Sequence, residues 1–272
     1  MLKTRVITAL VLLAVLFLVL FSQSFVFFAS MTAVFFFAAS WESLRLFRSR
    51  FPLFGAALWT SAFLLILFKG DVGLATLLSG VCVAAWVVRL APSLALGLPL
   101  QEGGANRLLN GIYGVAIFGC FVAIVTLFQH SSLYLLSVMM LIWIADTGAY
   151  FAGKAFGKHK LAPSISPGKS WEGVLGGWLA VLTIAGCSTM FPAFSDTFSA
   201  HILVEWGWAG FLVVMTLMVA ASIAGDLFES QLKRRAGVKD SSNLLPGHGG
   251  VLDRIDALIP TLPFAVLLGV WL

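Results

Sequence analysis

Apolar residues run along this chain in long, nearly unbroken stretches, and polar residues gather in the gaps between them. Nine stretches stand out, at roughly 5–22, 24–41, 51–69, 71–90, 109–128, 131–153, 172–192, 207–228 and 252–272. Each is close to the ~20 helical residues needed to cross a hydrocarbon layer. Backbone N–H and C=O groups inside such a run have no water to bond, so they must pair within the segment as a helix. The strands of a membrane barrel would alternate apolar and polar residues, and these runs do not. The pattern therefore predicts an all-α, polytopic integral membrane protein with about nine transmembrane helices. Residues 91–100 are apolar, few and Pro-containing, and read equally as a re-entrant piece or a partly buried loop.

Composition agrees with this reading. Of 272 residues 60% are hydrophobic and 11% charged, and the mean hydropathy is +1.00. Soluble domains carry about 25% charged residues, so a soluble domain is excluded. At the N-terminus Lys3 and Arg5 precede an apolar run of about 17 residues, longer than a secretory h-region and followed by no small-residue cleavage site, so it reads as the first membrane helix. Cys82, Cys120 and Cys187 lie in apolar stretches with no CxxC or Cys/His spacing, which predicts neither a disulfide framework nor a zinc site.

Charge then sets the orientation. With the N-terminus in the cytoplasm, Lys69 alone of the 17 Lys and Arg falls on the outer side. Such asymmetry is the positive-inside pattern, and it explains the net charge of +5 without a nucleic-acid partner. Residues 1–128 read as N-terminal transmembrane helices and 129–272 as a catalytic transmembrane region, within a single membrane domain.

Seven of the twelve acidic residues fall at predicted inner positions of the second half: Asp146, Glu172, Asp226, Glu229, Asp240, Asp253 and Asp256. A carboxylate at membrane depth is costly unless it faces a cavity, a partner or a metal. Asp146 closes the sixth apolar run and can serve a metal or anchor a cationic loop residue. The stretch Ser166-Pro167-Gly168-Lys169-Ser170-Trp171-Glu172-Gly173 reads as a turn at a helix start, where free N–H groups suit a phosphate; it also reads as a helix capped by Ser170. It is not a P-loop, since position 163 is Pro where the first Gly belongs. Asp226 ends one inner helix and Asp253 begins another, so the two can share Mg²⁺, which takes one or two carboxylates plus substrate phosphates and waters. Lys233, Arg234 and Lys239 can neutralise a triphosphate, and His248-Gly249-Gly250 offers a flexible backbone for phosphate oxygens.

Residues 230–256 resemble the signature of the phosphatidate cytidylyltransferase (CDP-diacylglycerol synthase) family, S-x-x-K-R-x(4)-K-D-x(4)-[hydrophobic]-P-x-H-G-G-x-x-D-R-x-D. Ser230, Lys233, Arg234, Lys239, Asp240, Leu245, Pro246, His248, Gly249, Gly250, Asp253, Arg254 and Asp256 stand at the required intervals. The stretches at 146–150 and 166–173 are similar to the family as well; the first five apolar runs carry no such signature. The resemblance implies transfer of CMP from CTP to phosphatidate with Mg²⁺, a homodimer, and Asp226 and Asp253 as metal ligands. It places the protein in a bacterial cytoplasmic membrane with the active site facing the cytoplasm. The expected catalytic residues are Asp226, Asp253 and Lys233. Those expected to bind substrate are Ser166, Lys169, Ser170, Ser230, Arg234, Lys239, His248, Gly249, Gly250 and Arg254. Asp146, Glu172 and Asp256 are further metal candidates, and a second cation is compatible with an in-line displacement. Three rivals remain at this point: an enzyme using CTP on an isoprenoid lipid, an ion transporter or channel built on buried carboxylates, and a non-catalytic scaffold, which leaves the dense acidic and basic cluster unexplained.

Overall fold

The computed structural model describes residues 2–22, 24–69 and 72–269. Four helices come first: α1 (Leu2–Phe21), α2 (Phe25–Leu46), α3 (Pro52–Lys69) and α4 (Val72–Ala85), the last ending in a wider π turn, Trp86–Leu90. A short α5 (Ser93–Leu96) leads into α6 (Gly104–His130) and α7 (Ser132–Phe156). Strands β1 (Lys160–Ala162) and β2 (Ser166–Ser170) form an antiparallel hairpin. Then follow α8 (Trp171–Ser188), α9 (Phe198–Ala236), α10 (Leu252–Ile255) and α11 (Leu258–Leu268). Among the described residues six helices are long and apolar enough to cross a membrane, and Val6–Phe21, Pro52–Phe68 and Leu258–Leu268 are shorter apolar helices.

Several expected runs differ from the helices in their bounds. The eighth, expected from residue 207, meets a break at that residue: Gly207 has a φ of 63° that only glycine adopts readily, with helix on both sides of it in α9. The ninth is broken: α10 and α11 are separated at Asp256 and Ala257, and residues 270–272 lie outside the described residues. Residue 71, expected to open the fourth run, also lies outside them. Residues 166–170 form a strand edge rather than a turn at a helix start. Lys160 pairs with Ser170 and Ala162 with Ser166, so residues 167–169 bulge from β2 while Ser170 caps α8 through its hydroxyl and Gly173 N–H. Residues 91–100 are partly buried and held to α9: Gln231 Nε2 donates to Ser93 O at 3.2 Å and Arg235 Nη1 to Pro99 O at 3.0 Å.

The bundle turns its apolar residues both ways. Phe54 and Phe68 are 73% and 88% exposed, which water would penalise and lipid does not. Inside, Phe36, Phe63, Phe118 and Phe121 join α2, α3 and α6 through tilted and edge-on ring contacts, a geometry that aromatic quadrupoles favour. Lipid tails are as apolar as a core, so helices associate through close packing of small residues instead. Helices α7 and α8 meet this way. A Cβ on Gly177 would lie 2.5 Å from Ala145 O, one on Gly148 2.8 Å from Ala180 Cβ, and one on Gly173 2.9 Å from Ala149 O.

The loops carrying the basic residues converge at one end of the bundle. Thr8 at the start of α1 donates to Pro246 O at 2.8 Å, Glu42 near the end of α2 reaches residues 241–252, and Arg234 Nε bonds Ile165 O at 3.3 Å. The α7–α8 contact generates a prediction. Gly177→Val should destabilise the detergent-solubilised protein by roughly 1–3 kcal/mol through overpacking, read as a fall in thermal midpoint. Gly111→Ala, with nothing within 4 Å of the added carbon, should leave the midpoint unchanged or raised.

Candidate active site

At this end of the bundle a cavity of about 630 Å³ opens between α7, β2, α8, α9 and α10. Helix ends supply its charge. The last turns of α7 bring Asp146 and Lys154, the β2 bulge brings Lys169, α9 brings Asp226 and Lys233, and residues 240–256 bring Asp240, Asp253, Arg254 and Asp256. Five carboxylates therefore share the space with four cations.

Two of the cations, Lys169 and Lys233, are paired with carboxylates. Lys169 Nζ lies 2.6 Å from Asp226 Oδ2, and Ser230 Oγ donates to Asp226 Oδ1 at 3.2 Å. Lys233 Nζ bridges Glu229 Oε2 and Asp253 Oδ1 at 2.5 Å each. The other Asp253 oxygen accepts from Gly250 N, Ser241 N and Ser241 Oγ, each at 2.8 Å. Ala257 N–H donates to Asp256 Oδ1 at 2.8 Å.

One residue that sequence reasoning missed organises the loop. Glu42 is fully buried. Its Oε1 accepts from Ser242 Oγ at 2.5 Å and Val251 N at 3.1 Å; its Oε2 accepts from Leu252 N at 2.6 Å and Ser241 Oγ at 3.1 Å. It thus satisfies the open N–H groups at the start of α10 and holds Ser241 against Asp253. Nothing in the α2 sequence set it apart, since Glu42 stands near the helix end with Arg45 close by. Gly250 is required here, because a Cβ would collide with Ser241 Oγ and Glu42 Oε1. Gly225 plays the same part on α9, where a Cβ would meet Asp256 O and Pro260.

Of the expected site residues, Asp146, Ser166, Lys169, Ser170, Asp226, Lys233, Asp253, Arg254 and Asp256 line the cavity. Glu172, Ser230, Arg234, Lys239, His248, Gly249 and Gly250 are not among its lining residues. Glu172 instead accepts from Lys158 N and His159 N and meets His159 Nδ1 at 2.6 Å, which ties α8 to the hairpin. Gly250 N–H is used by Asp253, and Ser170 Oγ by Gly173 N–H. Asp240, Lys154 and Ser222 line the cavity without having been expected to bind substrate.

The donor set suits a hard divalent cation, which prefers carboxylate oxygens and waters. Among the described residues no three of these carboxylates bring oxygens within 4.8 Å of one another, so Asp226 and Asp253 would hold an ion together with ligands from substrate and water. Anionic groups entering the cavity meet Lys154, Lys169, Lys233 and Arg254.

The sequence pattern of the cytidylyltransferase family matches residues 3–271. A phosphatidate cytidylyltransferase of Pseudomonas aeruginosa is 40% identical over 276 aligned positions, covering 98% of this chain and 97% of that protein. One of Haemophilus influenzae is 52% identical over 135 residues, which span 50% of this chain and 45% of that protein. One of Bacillus subtilis is 40% identical over 161 residues, 59% of this chain and 56% of that protein.

Truncating Glu42 to Ala would leave two N–H groups and two hydroxyls facing a void, a loss of roughly 3–5 kcal/mol for a buried charged hydrogen-bonding group. Glu42→Ala should therefore lower the thermal midpoint and the turnover together, and Glu42→Gln should recover part of both. A Glu42→Ala protein as stable as the parent would contradict this account.

Proposed function

The chain belongs to the cytidylyltransferase family, and from that premise we propose that it transfers CMP from CTP to phosphatidate, giving CDP-diacylglycerol and pyrophosphate. The observation that carries the reading is one cavity in which carboxylates from α9 and α10 share space with lysines from β2 and α9. A nucleotide triphosphate needs such cations, and its divalent counter-ion needs such carboxylates. The near full-length likeness to the Pseudomonas protein supports the choice of phosphatidate as acceptor.

A phosphatidate phosphate oxygen attacks the α-phosphorus of CTP. The bond from that phosphorus to the oxygen bridging it to the β-phosphorus breaks, and pyrophosphate leaves with the electron pair. No proton need move, because the attacking oxygen is already anionic. The protein's work is positioning and charge stabilisation. Lys169 and Lys233 contact phosphate oxygens, Arg254 holds the lipid phosphate, and Asp226 and Asp253 bind Mg²⁺. When bound, that ion neutralises charge on the triphosphate. Serines at 166, 170 and 230, with Arg234, Lys239 and His248, shape the entrance and its supports rather than the reacting centre.

The proposal includes location. The cavity lies at the end of the bundle where the Lys- and Arg-bearing loops gather, and positive loops stay in the cytoplasm; the protein therefore sits in the bacterial cytoplasmic membrane with this end inward. A homodimer is carried over from the family resemblance, and cross-linking in native membranes tests it.

Purified protein should convert labelled CTP and phosphatidate to CDP-diacylglycerol, and a chelator should stop it. Asp226→Asn and Asp253→Asn should each reduce turnover by roughly a hundredfold or more while membrane insertion and extraction stay normal. Near-parental turnover in either variant would refute the metal-ligand role, and a product formed only with isoprenoid phosphates would replace phosphatidate as acceptor.

A further inference from the structure

At the opposite end of the bundle three side chains from distant parts of the chain meet. His130 is the last residue of α6, His201 lies in the first turn of α9, and Asp196 sits in the loop just before it. His130 Nε2 and His201 Nε2 each lie 3.3 Å from the same oxygen, Asp196 Oδ1. Among the described residues this is the one group of three His, Cys, Asp or Glu whose ligand atoms all lie within 4.8 Å of one another. Two of the chain's four histidines take part. Asp226 lies well beyond the break at Gly207 in α9, about 27 Å along the continuous helix that follows the break at 1.5 Å per residue, so the group is separate from the catalytic cavity.

We propose that His130, Asp196 and His201 form a binding site for a transition-metal cation of the Zn²⁺ class. The distances favour a shared ion over two ion pairs. A charged N–H···O contact draws in to about 2.7–2.9 Å, shorter than either separation here. Ligand atoms about 2.0–2.1 Å from a tetrahedral zinc ion stand roughly 3.3 Å apart. Two imidazoles and a carboxylate are the donors that Zn²⁺ accepts, and three protein ligands leave a fourth position for water.

The surroundings fix the ligands. Tyr134 presents its ring edge-on to both imidazoles, with centroids 4.8 and 5.4 Å away and interplanar angles of 77° and 85°. Its hydroxyl is buried without a hydrogen-bond partner. Ser137 Oγ accepts from Phe198 N at 2.9 Å, which ties the start of α9 to α7, and His201 N bonds Thr197 O at 3.0 Å. The imidazoles and the carboxylate are each partly exposed, so an ion can enter from the surface.

The test is a calorimetric titration of full-length, chelator-stripped protein with ZnCl₂ in detergent. One equivalent should bind at micromolar affinity or tighter, and His159→Ala should bind it unchanged. His130→Gln, His201→Gln and Asp196→Asn should each weaken binding at least tenfold and lose the zinc-induced rise in thermal midpoint. Their CTP turnover with Mg²⁺ should remain near parental, which shows the variants folded. Co²⁺ bound to the parent should give the visible absorption of a tetrahedral nitrogen–oxygen site. A parent that binds no Zn²⁺, or a His130→Gln/His201→Gln double variant that binds it as the parent does, overturns the proposal.

Discussion

Burying carboxylates at the end of an apolar bundle is the constraint on which the rest of this structure depends. A buried anion must find a cation or convergent N–H donors, because the surroundings screen it poorly. Glu42 meets that demand with four donors, and Asp253 with one ammonium, two N–H groups and a hydroxyl. The two acids share Ser241, so α2, the 237–251 loop and α10 are locked as one unit. Lys233 extends the unit into α9 through Glu229 and Asp253. Removing a member strands a buried charge or leaves buried donors without an acceptor, and this mutual dependence fixes where the cavity walls stand.

Close packing sets the opposite wall. Helices α7 and α8 approach through glycine and alanine, which places Asp146 and the capped start of α8 at fixed depth. Between the two rigid units lies the hairpin, whose bulge carries Lys169 across to Asp226. The cavity is thus built from helix ends and one bulged strand, each held by contacts that do not involve substrate.

Much of this was legible in the chain. Hydrophobic run length is set by membrane thickness, so the helical spans were readable to within a few residues. The signature at 230–256 singled out Lys233 of α9 and Asp253 and Arg254 of α10 because its intervals are specific. What escaped needed three-dimensional information. Glu42 is about 200 residues from its partners, and nothing local in α2 announces the loop it caps. The hairpin at 160–170 looked like a turn, because Pro167 and Gly168 signal turns and the pairing with Lys160 is invisible to periodicity. Gly249 and Gly250 looked like phosphate binders, whereas Gly250 gives its N–H to Asp253 and owes its lack of a side chain to Glu42 and Ser241. The His130, Asp196 and His201 group arises from a return of α9 beside α6, which no spacing rule encodes.

The pairing of Lys169 and Lys233 with carboxylates also bears on selectivity. Ligand entry becomes an exchange of counter-ions rather than a simple capture of an anion by vacant positive charge. A bare phosphate that took Lys169 or Lys233 would leave Asp226 or Asp253 stranded, and the loss would offset most of the gain. A nucleotide arriving with its own divalent ion supplies both replacements together. The resting salt bridges thereby act as a filter that discriminates against the uncomplexed anions abundant in a cell.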